Sequence, residues 1–258
     1  MIPPRFRPLA VLLLAGALAA PLAPAPAAAQ APLEMAPEDR AVLRAEVRRY
    51  LLEHPEVILE AVQVFEERRR LAEAEAEAEM LAARRAELED DGYSVVTGNP
   101  EGDLTVVEFV DYNCGFCRRA HPHTRALIEA DPGVRYVIKE FPILGAESVA
   151  AARAAVAASL QDEDKYLAFN DAMMRHDARL DEAAVWAIAR RVGLDPDRLR
   201  RDAAGDEVSA RLARTADLAR SLGIEGTPSF VIGDRVERGM LTLEQLEARV
   251  AEARSQGG

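Results

Sequence analysis

The amino-acid sequence predicts an α/β domain in which an all-helical insert separates a βαβ half from a ββα half, with a helical arm before the domain. Two apolar runs, residues 104–110 and 134–141, are typical of buried strands and flank a helical segment. A strand–helix–strand unit of this length predicts parallel strands joined by a right-handed crossover. Helical patterns alone then fill residues 146–222, and a hairpin and a last helix follow them.

The composition excludes several classes of protein. The 258 residues include 32 basic and 44 acidic side chains, so the formal net charge is −12. Because phosphate binding needs clustered Lys and Arg, we expect no nucleic-acid partner for a chain this acidic. The two cysteines are too few for a small disulfide-stapled fold or for a four-cysteine zinc site.

The first 29 residues have the pattern of a secretory signal peptide. Arg5 and Arg7 precede an apolar run over residues 9–20 that is too short to span a membrane, and the three alanines at 27–29 form a suitable cleavage site. We therefore expect residues 1–29 to be removed on export to an oxidising compartment, with a bacterial periplasm favoured. An uncleaved membrane anchor is the alternative.

Residues 30–92 predict a helical arm rather than a core. Its front part carries two apolar helix faces, in residues 38–53 and 58–65, and the His54–Pro55 step separates them. The apolar positions at helical spacing are Leu43, Val47, Tyr50, Leu51, Ile58, Ala61, Val62 and Phe65. Two short helices cannot bury these faces on each other, so we expect a homo-oligomer that forms through residues 38–65.

The rest of the arm predicts a charged linker helix. Fifteen of the 26 residues in 66–91 are charged. Ala and Glu alternate in residues 72–79, and this period of two is typical of a strand, but both residue types are strong helix formers. We expect a solvated, semi-flexible stalk that leads to the α/β domain at residues 93–258.

The remaining elements of the domain follow from shorter patterns. Residues 93–97 predict a first strand, and residues 229–232 and 235–238 predict a hairpin with a two-residue turn. Helical spacing predicts a helix over residues 114–130, in which Pro122 is expected to cause a kink.

The sequence Cys-Gly-Phe-Cys at residues 114–117 carries the predicted chemistry, for which three interpretations compete. A structural disulfide here would close a loop of only four residues and would stabilise the fold little. A metal site could add His121 and His123, but this spacing is unusual for zinc and crowds the ligands onto one helix. A redox dithiol is favoured, because Cys114 lies at a helix N-terminus that stabilises a thiolate.

Two motifs resemble those of a known family. Val107-Glu108-Phe109 before the Cys-Gly-Phe-Cys motif, and Gly226-Thr227-Pro228-Ser229-Phe230 after the helical insert, resemble the thioredoxin-fold disulfide oxidoreductases of the DsbA type. The resemblance covers residues 93–258 and implies a thioredoxin fold with a helical insert at about residues 146–222.

The arm has a resemblance of its own. Residues 50–57, Tyr-Leu-Leu-Glu-His-Pro-Glu-Val, are similar to the N-terminal region of the ScsC branch of that family, the suppressor of copper sensitivity C proteins. This similarity implies a trimer built through residues 38–65.

The DsbA resemblance implies roles for the dithiol motif. Cys114 would be the exposed nucleophile and Cys117 the buried resolving thiol. Gly115 and Phe116 would contact substrate, and they offer no charge where the prototype oxidase has His, so we expect a moderately lowered pKa for Cys114. Arg118 would supply some positive field, whereas His121 and His123 are expected on the helix surface.

The same resemblance implies roles for residues outside the motif. Pro228 matches a cis-proline that faces the dithiol, and the Thr227–Pro228 backbone would pair with an extended substrate. Glu108 matches a buried acid whose pKa would be raised and which would carry a proton to or from Cys117. The alternatives are a trans turn proline and a solvent-facing glutamate. Lys139 on the neighbouring strand is a possible partner of Glu108.

These observations predict a periplasmic thiol–disulfide oxidoreductase that forms or isomerises disulfides in proteins. Its partners would be protein substrates with thiols or disulfides and a membrane redox partner, and we expect no organic cofactor and no resident metal. The alternative is a copper- or metal-binding periplasmic protein that uses the Cys114 and Cys117 thiolates as soft ligands. The direction of the reaction depends on the redox partner and is left open.

Overall fold

The computed structural model describes residues 35–257, and the predicted signal peptide, residues 1–29, lies outside them. The chain divides into two compact units with the boundary between Glu60 and Ala61. Within the described residues, no helix combines the length and the hydropathy needed to cross a membrane.

The first unit contains helix α1, Pro37–Glu53, and the start of helix α2, Glu56–Ala83. Proline at the start of α1 and acidic residues in its first turn favour helix formation there. α1 ends before His54, so the predicted break is confirmed. No residue of α1 is buried, and the exposed large apolar side chains of this unit are Val42, Leu43, Val47, Tyr50, Leu52, Ile58 and Leu59.

Helix α2 is longer than its sequence pattern predicts. It continues to Ala83 without a break, so the predicted helix at 58–65 and the predicted linker helix form one element. Short helix α3, Arg85–Glu89, follows it.

The end of α2 and helix α3 pack on the sheet. Leu81 and Leu88 are each only 2% exposed, and they belong to a hydrophobic cluster with Val107, Phe109 and Val137 of the sheet, called the second cluster below. The Glu77 carboxylate accepts hydrogen bonds from the backbone N–H of Val236, at 3.2 Å, and from the Arg238 guanidinium, at 3.1 Å. The last part of the stalk, which we expected to be solvated, is therefore docked.

Five strands form one sheet in the order β1-β3-β2-β4-β5. Their bounds are β1 Val95–Gly98, β2 Leu104–Val110, β3 Val134–Glu140, β4 Ser229–Ile232 and β5 Arg235–Arg238. β2 and β3 are parallel, as predicted, and every other pair is antiparallel. The predicted hairpin is confirmed, and β1 begins two residues later than expected.

Helices cover both faces of this sheet. Helix α4, Gly115–Ala130, connects β2 to β3, and Pro122 lies inside it without ending it. The insert consists of α5 Ala146–Ser159, α6 Glu163–Met174, α7 Glu182–Arg191, α8 Pro196–Ala203 and α9 Asp206–Ser221, and α10 Leu243–Gly257 ends the domain. Side chains of Asp162, Asp181 and Asp195 cap the starts of α6, α7 and α8.

Side chains of β2 alternate between two hydrophobic clusters. Val106 and Val110 enter the larger cluster, which α4, α10 and most of the insert share. Val107 and Phe109 enter the second cluster on the opposite face. Because successive side chains of a strand point to opposite faces, Glu108 lies on the α4 side of the sheet.

Candidate active site

Cys114 lies where the central strand β2 passes into helix α4. It occupies the position before the first helical residue, Gly115, and its extended backbone leaves the sulfur beside the helix N-terminus. Asp111 shapes the connection: its backbone carbonyl accepts from Cys114 N–H at 3.0 Å, and its carboxylate accepts from Asn113 N–H at 2.8 Å. Cys114 is only 6% exposed, so the expectation that it is exposed is wrong: the Thr227 backbone packs against its sulfur.

The surroundings of Cys114 favour the thiolate. When Cys114 is protonated, its Sγ donates to the backbone carbonyl of Thr227 at 3.1 Å, and this one contact favours the thiol. The other polar contacts act in the opposite direction. Hydrogen bonds from the Cys117 thiol, then from the Thr227 hydroxyl and from backbone N–H groups of the first helical turn, lower the pKa of Cys114 to about 5, although burial opposes them. The Thr227 hydroxyl is buried and has no hydrogen-bond partner in the described chain, so it is available to donate to the thiolate once that forms.

Cys117 has the opposite character. It is 1% exposed in the first turn of α4, and neither cysteine is in a disulfide. Burial raises the pKa of Cys117 strongly, and its hydrogen bond to Cys114 and the charge of Glu108 raise it further. The pair therefore combines an ionised thiol with a buried thiol that must lose a proton before it attacks.

Arg118 stabilises the loop rather than the thiolate. Its Nε donates to the carbonyl oxygen of Tyr112 at 2.9 Å, and a terminal nitrogen of its guanidinium donates to the Asn113 side chain at 3.3 Å. Cys117, Thr227 and backbone N–H groups, not Arg118, are the main groups that lower the pKa of Cys114. Arg118 thus positions the backbone of the loop, whereas we had expected it to supply a positive field.

The two proposed substrate-contact regions lie beside the dithiol. The Thr227–Pro228 peptide bond is cis, and Pro228 is buried. Gly115 and Phe116 are exposed, Phe116 by 57%, and the guanidinium carbon of Arg119 lies 4.3 Å from the centre of the Phe116 ring. An exposed apolar ring thus follows Cys114 by two residues, and a backbone carbonyl lies 3.1 Å from the Cys114 sulfur.

Glu108 is buried behind the dithiol, on the α4 side of the sheet. It is 5% exposed, and the Tyr136 hydroxyl donates to its Oε2 at 2.7 Å. Burial raises the pKa of Glu108 to about 7, and the charge of Cys114 raises it as well, while the Tyr136 hydrogen bond opposes this shift. The solvent-facing alternative is wrong for this residue.

Lys139 does not pair with Glu108. It pairs with Asp91 instead, and its ammonium group also donates to the backbone carbonyl of Glu87 at 2.8 Å. The strand alternation explains the difference, because Lys139 pairs in register with Phe109 and shares its face of the sheet, opposite to that of Glu108.

His121 is a residue whose position the sequence analysis got wrong. It is 7% exposed rather than on the helix surface, and its Nε2 lies 2.9 Å from Oδ1 of Asp171 on α6. His123 is partly exposed, in closer agreement with expectation. The available signal was the spacing, because His121 lies one turn after Cys117 and thus on the buried face of α4.

Glu140 is a second buried acid, and sequence reasoning missed it. Its Oε1 accepts from the hydroxyl groups of Tyr112, at 2.6 Å, and Tyr166, at 2.8 Å, whereas its Oε2 has no partner in the described chain. Burial raises the pKa of Glu140 to about 8. Asn170 donates to the Tyr112 hydroxyl at 3.0 Å, so this network reaches the loop that carries Cys114.

The dithiol is not part of a larger ligand cluster. Among the described residues, no group of three or more His, Cys, Asp or Glu side chains is arranged to hold a metal ion. A Cys114 thiol of lowered pKa, a second thiol of raised pKa and a buried carboxyl of near-neutral pKa are together suited to thiol–disulfide exchange.

Two family models match the chain. The DSBA-like thioredoxin domain matches residues 105–251, and the N-terminal domain of the copper resistance protein ScsC matches residues 39–72. The first match includes the dithiol and the cis-proline, and the second lies in the arm.

Solved structures resemble this chain over most of their own length. A thioredoxin-like oxidoreductase from Silicibacter pomeroyi is 48% identical, with a TM-score of 0.64, over 66% of this chain and 98% of that chain. The catalytic domain of Proteus mirabilis ScsC is 30% identical, with a TM-score of 0.64, over 69% and 98%. A periplasmic thioredoxin-like protein from Salmonella enterica serovar Typhimurium is 29% identical, with a TM-score of 0.62, over 66% and 95%.

Curated relatives include the Na⁺/H⁺ antiporter NhaA 1 of Salinispora arenicola. It is 31% identical over 158 residues, which are 61% of this chain and 24% of that protein. The chain therefore spans about a quarter of the length of the curated relatives it matches first.

Proposed function

Because the chain belongs to the DSBA-like thioredoxin domain family, we propose that it is a periplasmic thiol–disulfide oxidoreductase that acts on proteins. The observation that carries this proposal is the asymmetry of the two thiols. The pKa of Cys114 is lowered to about 5, whereas that of Cys117 is raised, and Cys117 is the more deeply buried of the two, at 1% against 6% exposed. One thiol is thus ready to attack, and the other is held back until a mixed disulfide exists.

The reaction has two exchange steps. In the first, the Cys114 thiolate attacks a substrate disulfide, the substrate S–S bond breaks, and one substrate sulfur leaves as a thiolate. In the second, Cys117 gives its proton to the Glu108 carboxylate and attacks Cys114, and the second substrate sulfur leaves. In the opposite direction, a substrate thiolate attacks the Cys114–Cys117 bond, and Cys117 leaves and takes a proton from Glu108.

Substrate binding is proposed at the surface around Cys114. The exposed Phe116 ring offers apolar contact, and the Thr227 backbone beside the cis peptide bond offers hydrogen-bond partners for an extended segment. The Pro228 carbonyl is already used, because it accepts from Gly239 N–H at 2.9 Å. The contacts with Phe116 and Thr227 are independent of a particular substrate sequence, which suits an enzyme that acts on many unfolded or partly folded proteins.

The periplasmic location rests on two supports. Residues 1–29 have the pattern of a cleaved signal peptide, and a periplasmic protein is among the similar solved structures. In that compartment a membrane redox partner would restore the dithiol or the disulfide after each cycle. Protein thiols would supply electrons in one direction, and protein disulfides would accept them in the other. No organic cofactor takes part in the proposed exchange.

Equilibration with glutathione tests this function. We expect the wild-type protein to exchange between the dithiol and the Cys114–Cys117 disulfide, Cys117→Ser to accumulate a glutathione adduct at Cys114, and Cys114→Ser to be inert. Mass spectrometry after acid quenching and alkylation identifies each species. Faster alkylation of Cys117 than of Cys114 in the reduced protein would contradict the assigned roles.

A finer function, disulfide isomerisation by an oligomer, is favoured by the arm. Most large apolar side chains of residues 37–65 are exposed by about half or more, whereas Leu51 and Val57 are partly buried, and the ScsC N-terminal domain matches this region. If copies of the chain pack through these side chains, several Cys114 thiols surround one bound substrate. A second attack on that substrate then becomes effectively intramolecular, which favours the rearrangement of wrong disulfides.

Copper binding is the alternative activity, and the family model that matches the arm names a copper resistance protein. Two thiolates are suitable ligands for Cu(I). Dithiol exchange measured with and without a copper chelator separates the two functions, because redox exchange with glutathione needs no metal and is expected to be unchanged by the chelator.

A further inference from the structure

A small cavity lies between Glu108 and the surface of the domain. α4, α6 and the sheet enclose it, and it has room for about one water molecule. The polar residues of its wall that matter here are Glu108, Tyr136, Thr124, Asn170, His121 and Asp171. A buried carboxyl therefore shares one polar cavity with a histidine–aspartate pair.

Glu108, at the inner end of this cavity, needs a path by which it exchanges protons with solvent. Glu108 is 5% exposed, so a proton that it receives from Cys117 cannot pass directly into solvent. Among the described residues, the hydrogen-bond partner of the Glu108 carboxyl in this cavity is the Tyr136 hydroxyl, at 2.7 Å. The pKa of that tyrosine is raised well above its ordinary value by burial, and the phenol therefore stays protonated as a donor rather than acting as a base.

The outer end offers a suitable group. The His121 side chain is 9% exposed and the Asp171 side chain 40%, and Nε2 and Oδ1 of this pair are 2.9 Å apart. Arg175 donates to the same aspartate oxygen at 2.8 Å and holds it in place. The pair thus extends from the cavity to solvent, and imidazole both accepts and donates protons near neutral pH.

We propose that His121 relays protons between the Glu108 carboxyl and solvent, through a water molecule in the cavity and with Asp171 at the outer end. This inference rests on the proposed function. Within the described residues the side-chain hydrogen bond of His121 goes to Asp171, and its proposed action is on Glu108, so it is a positioning and relay residue.

The relay completes the second exchange step. Cys117 gives its proton to Glu108, the Cys114–Cys117 bond forms, and the bond from Cys114 to the substrate sulfur breaks, so that the substrate leaves as a thiolate. Glu108 then passes the proton through water to His121, and the imidazolium releases it beside Asp171. When a substrate thiolate opens the Cys114–Cys117 bond, the Cys117 thiolate receives a proton along the same path in reverse.

Other ionisable groups face this path and contribute to its pH dependence. Burial lowers the pKa of His121 below its ordinary value, although the hydrogen bond to Asp171 opposes this shift, so the resting side chain is a neutral imidazole that can accept a proton. The titratable and charged groups on the packed elements are Cys114, Cys117 and Arg125 of the α4 region, Tyr136 and Glu140 of β3, and Asp171 and Arg175 of the α6 region.

Rapid-quench kinetics with glutathione disulfide test the relay in the full-length reduced protein. Alkylation and mass spectrometry separate the formation of the Cys114–glutathione adduct from its resolution by Cys117. His121→Gln is expected to slow resolution about 10-fold near neutral pH and to leave adduct formation unchanged. His121→Ala is expected to be slowed likewise, and added imidazole to restore its rate. His123→Gln and His123→Ala are the matched controls.

The outcomes separate the relay from a structural role and from the proposed function. Resolution at the wild-type rate in His121→Gln would overturn the relay, as would a slowed His121→Ala that imidazole does not rescue. If the His121 variants do not fold, Asp171→Asn carries the test: the pH midpoint of the resolution rate is expected to fall, and an unshifted midpoint counts against the relay. Failure of glutathione to form any adduct at Cys114 would instead remove the proposed function itself.

Discussion

The sulfur of Cys114 lies 3.1 Å from the carbonyl oxygen of Thr227, although 113 residues separate the two in the chain. The sheet brings them together, because β2 and β4 are antiparallel neighbours and Phe109 pairs with Ser229. The loop after β2 and the loop before β4 therefore meet at the same end of these two neighbouring strands. The properties of Cys114 depend on both loops.

The first prediction concerns the Thr227 hydroxyl. Thr227→Val keeps the shape of the side chain but removes a donor to the thiolate, so the pKa of Cys114 is expected to rise by about one unit. The reduced protein then loses stability relative to the disulfide, and the active site becomes a weaker oxidant. Thiolate absorbance against pH measures the pKa, and glutathione equilibria measure the potential.

The matched control for this prediction is Thr105→Val, in the same sheet. Thr105 lies on β2 away from the dithiol, and its loss is expected to leave the pKa of Cys114 unchanged. An equal pKa for Thr227→Val and for wild type would mean that the Thr227 hydroxyl does not donate to the thiolate.

The second prediction concerns proton transfer by Glu108. Glu108→Gln keeps the hydrogen bond from Tyr136 but cannot accept the Cys117 proton, so resolution of the mixed disulfide is expected to slow at least about 10-fold near pH 7. Attack by Cys114 on the first disulfide is expected to change little. Glu129→Gln on the exposed face of α4 is the control, and equal resolution rates in the two variants would remove the proton-carrier role.

The third prediction concerns stability and the second buried acid. Burial raises the pKa of Glu140 to about 8, whereas an unfolded glutamate ionises near about 4.3. Between these values the unfolded chain has lost the proton that the folded chain keeps, so stability falls as pH rises through this window and levels off above about pH 8. The free energy of unfolding that Glu140 causes to be lost across this window is on the order of a few kcal/mol.

Glu140→Gln is expected to flatten this pH dependence and to raise the unfolding free energy above neutral pH. Urea unfolding at several pH values measures both effects, with exposed Glu101→Gln as the control. An unchanged slope of stability against pH in Glu140→Gln would show that the acid is ionised in the folded protein. The pKa of Glu108 is raised as well, so its ionisation also lowers stability as pH rises. The double variant with Gln at residues 108 and 140 is therefore expected to have the flattest profile of stability against pH.

The thioredoxin fold, the helical insert and the helical arm were predictable from the sequence, and the family matches and the structure confirm them. Local patterns sufficed for the order of strands and helices, because buried parallel strands are continuous apolar runs. The thioredoxin fold itself followed from the family resemblance of the two motifs. The positions of Cys114, Cys117 and Thr227 relative to one another also follow from the fold. Their catalytic roles stay predictions.

Burial and partners were harder to predict, because they depend on strand register and on helices distant in sequence. The partner of His121 is 50 residues away on the insert, and that of Lys139 is 48 residues away, before the first strand. Glu140 was missed because its two tyrosine partners come from different elements. An acid at the end of a buried strand was the one local sign of that network.

The fourth prediction tests whether the end of α2 belongs to the folded domain. Leu81 is 2% exposed and packs under the sheet, whereas Leu71, ten residues earlier on the same helix, is 61% exposed. Leu81→Ala is expected to lower the free energy of unfolding by about 2–5 kcal/mol, and Leu71→Ala by less than about 0.5 kcal/mol. Urea unfolding measures both, and equal values would mean that this part of the helix is a solvated stalk.

The fifth prediction concerns the arm. Leu43 and Val47 on α1 are 49% and 47% exposed, and we propose that copies of the chain cover them. Replacing both with Lys places charges in that interface, so light scattering is expected to show a monomer where the wild type is an oligomer. Because each Cys114 then acts alone, isomerisation of a scrambled protein disulfide is expected to fall, while the glutathione exchange of a single site stays unchanged. Arg48→Gln, on the same exposed helix, is the control and is expected to remain oligomeric. A wild-type monomer, or an oligomer that survives both lysines, would remove the basis for preferring an isomerase over a simple oxidase.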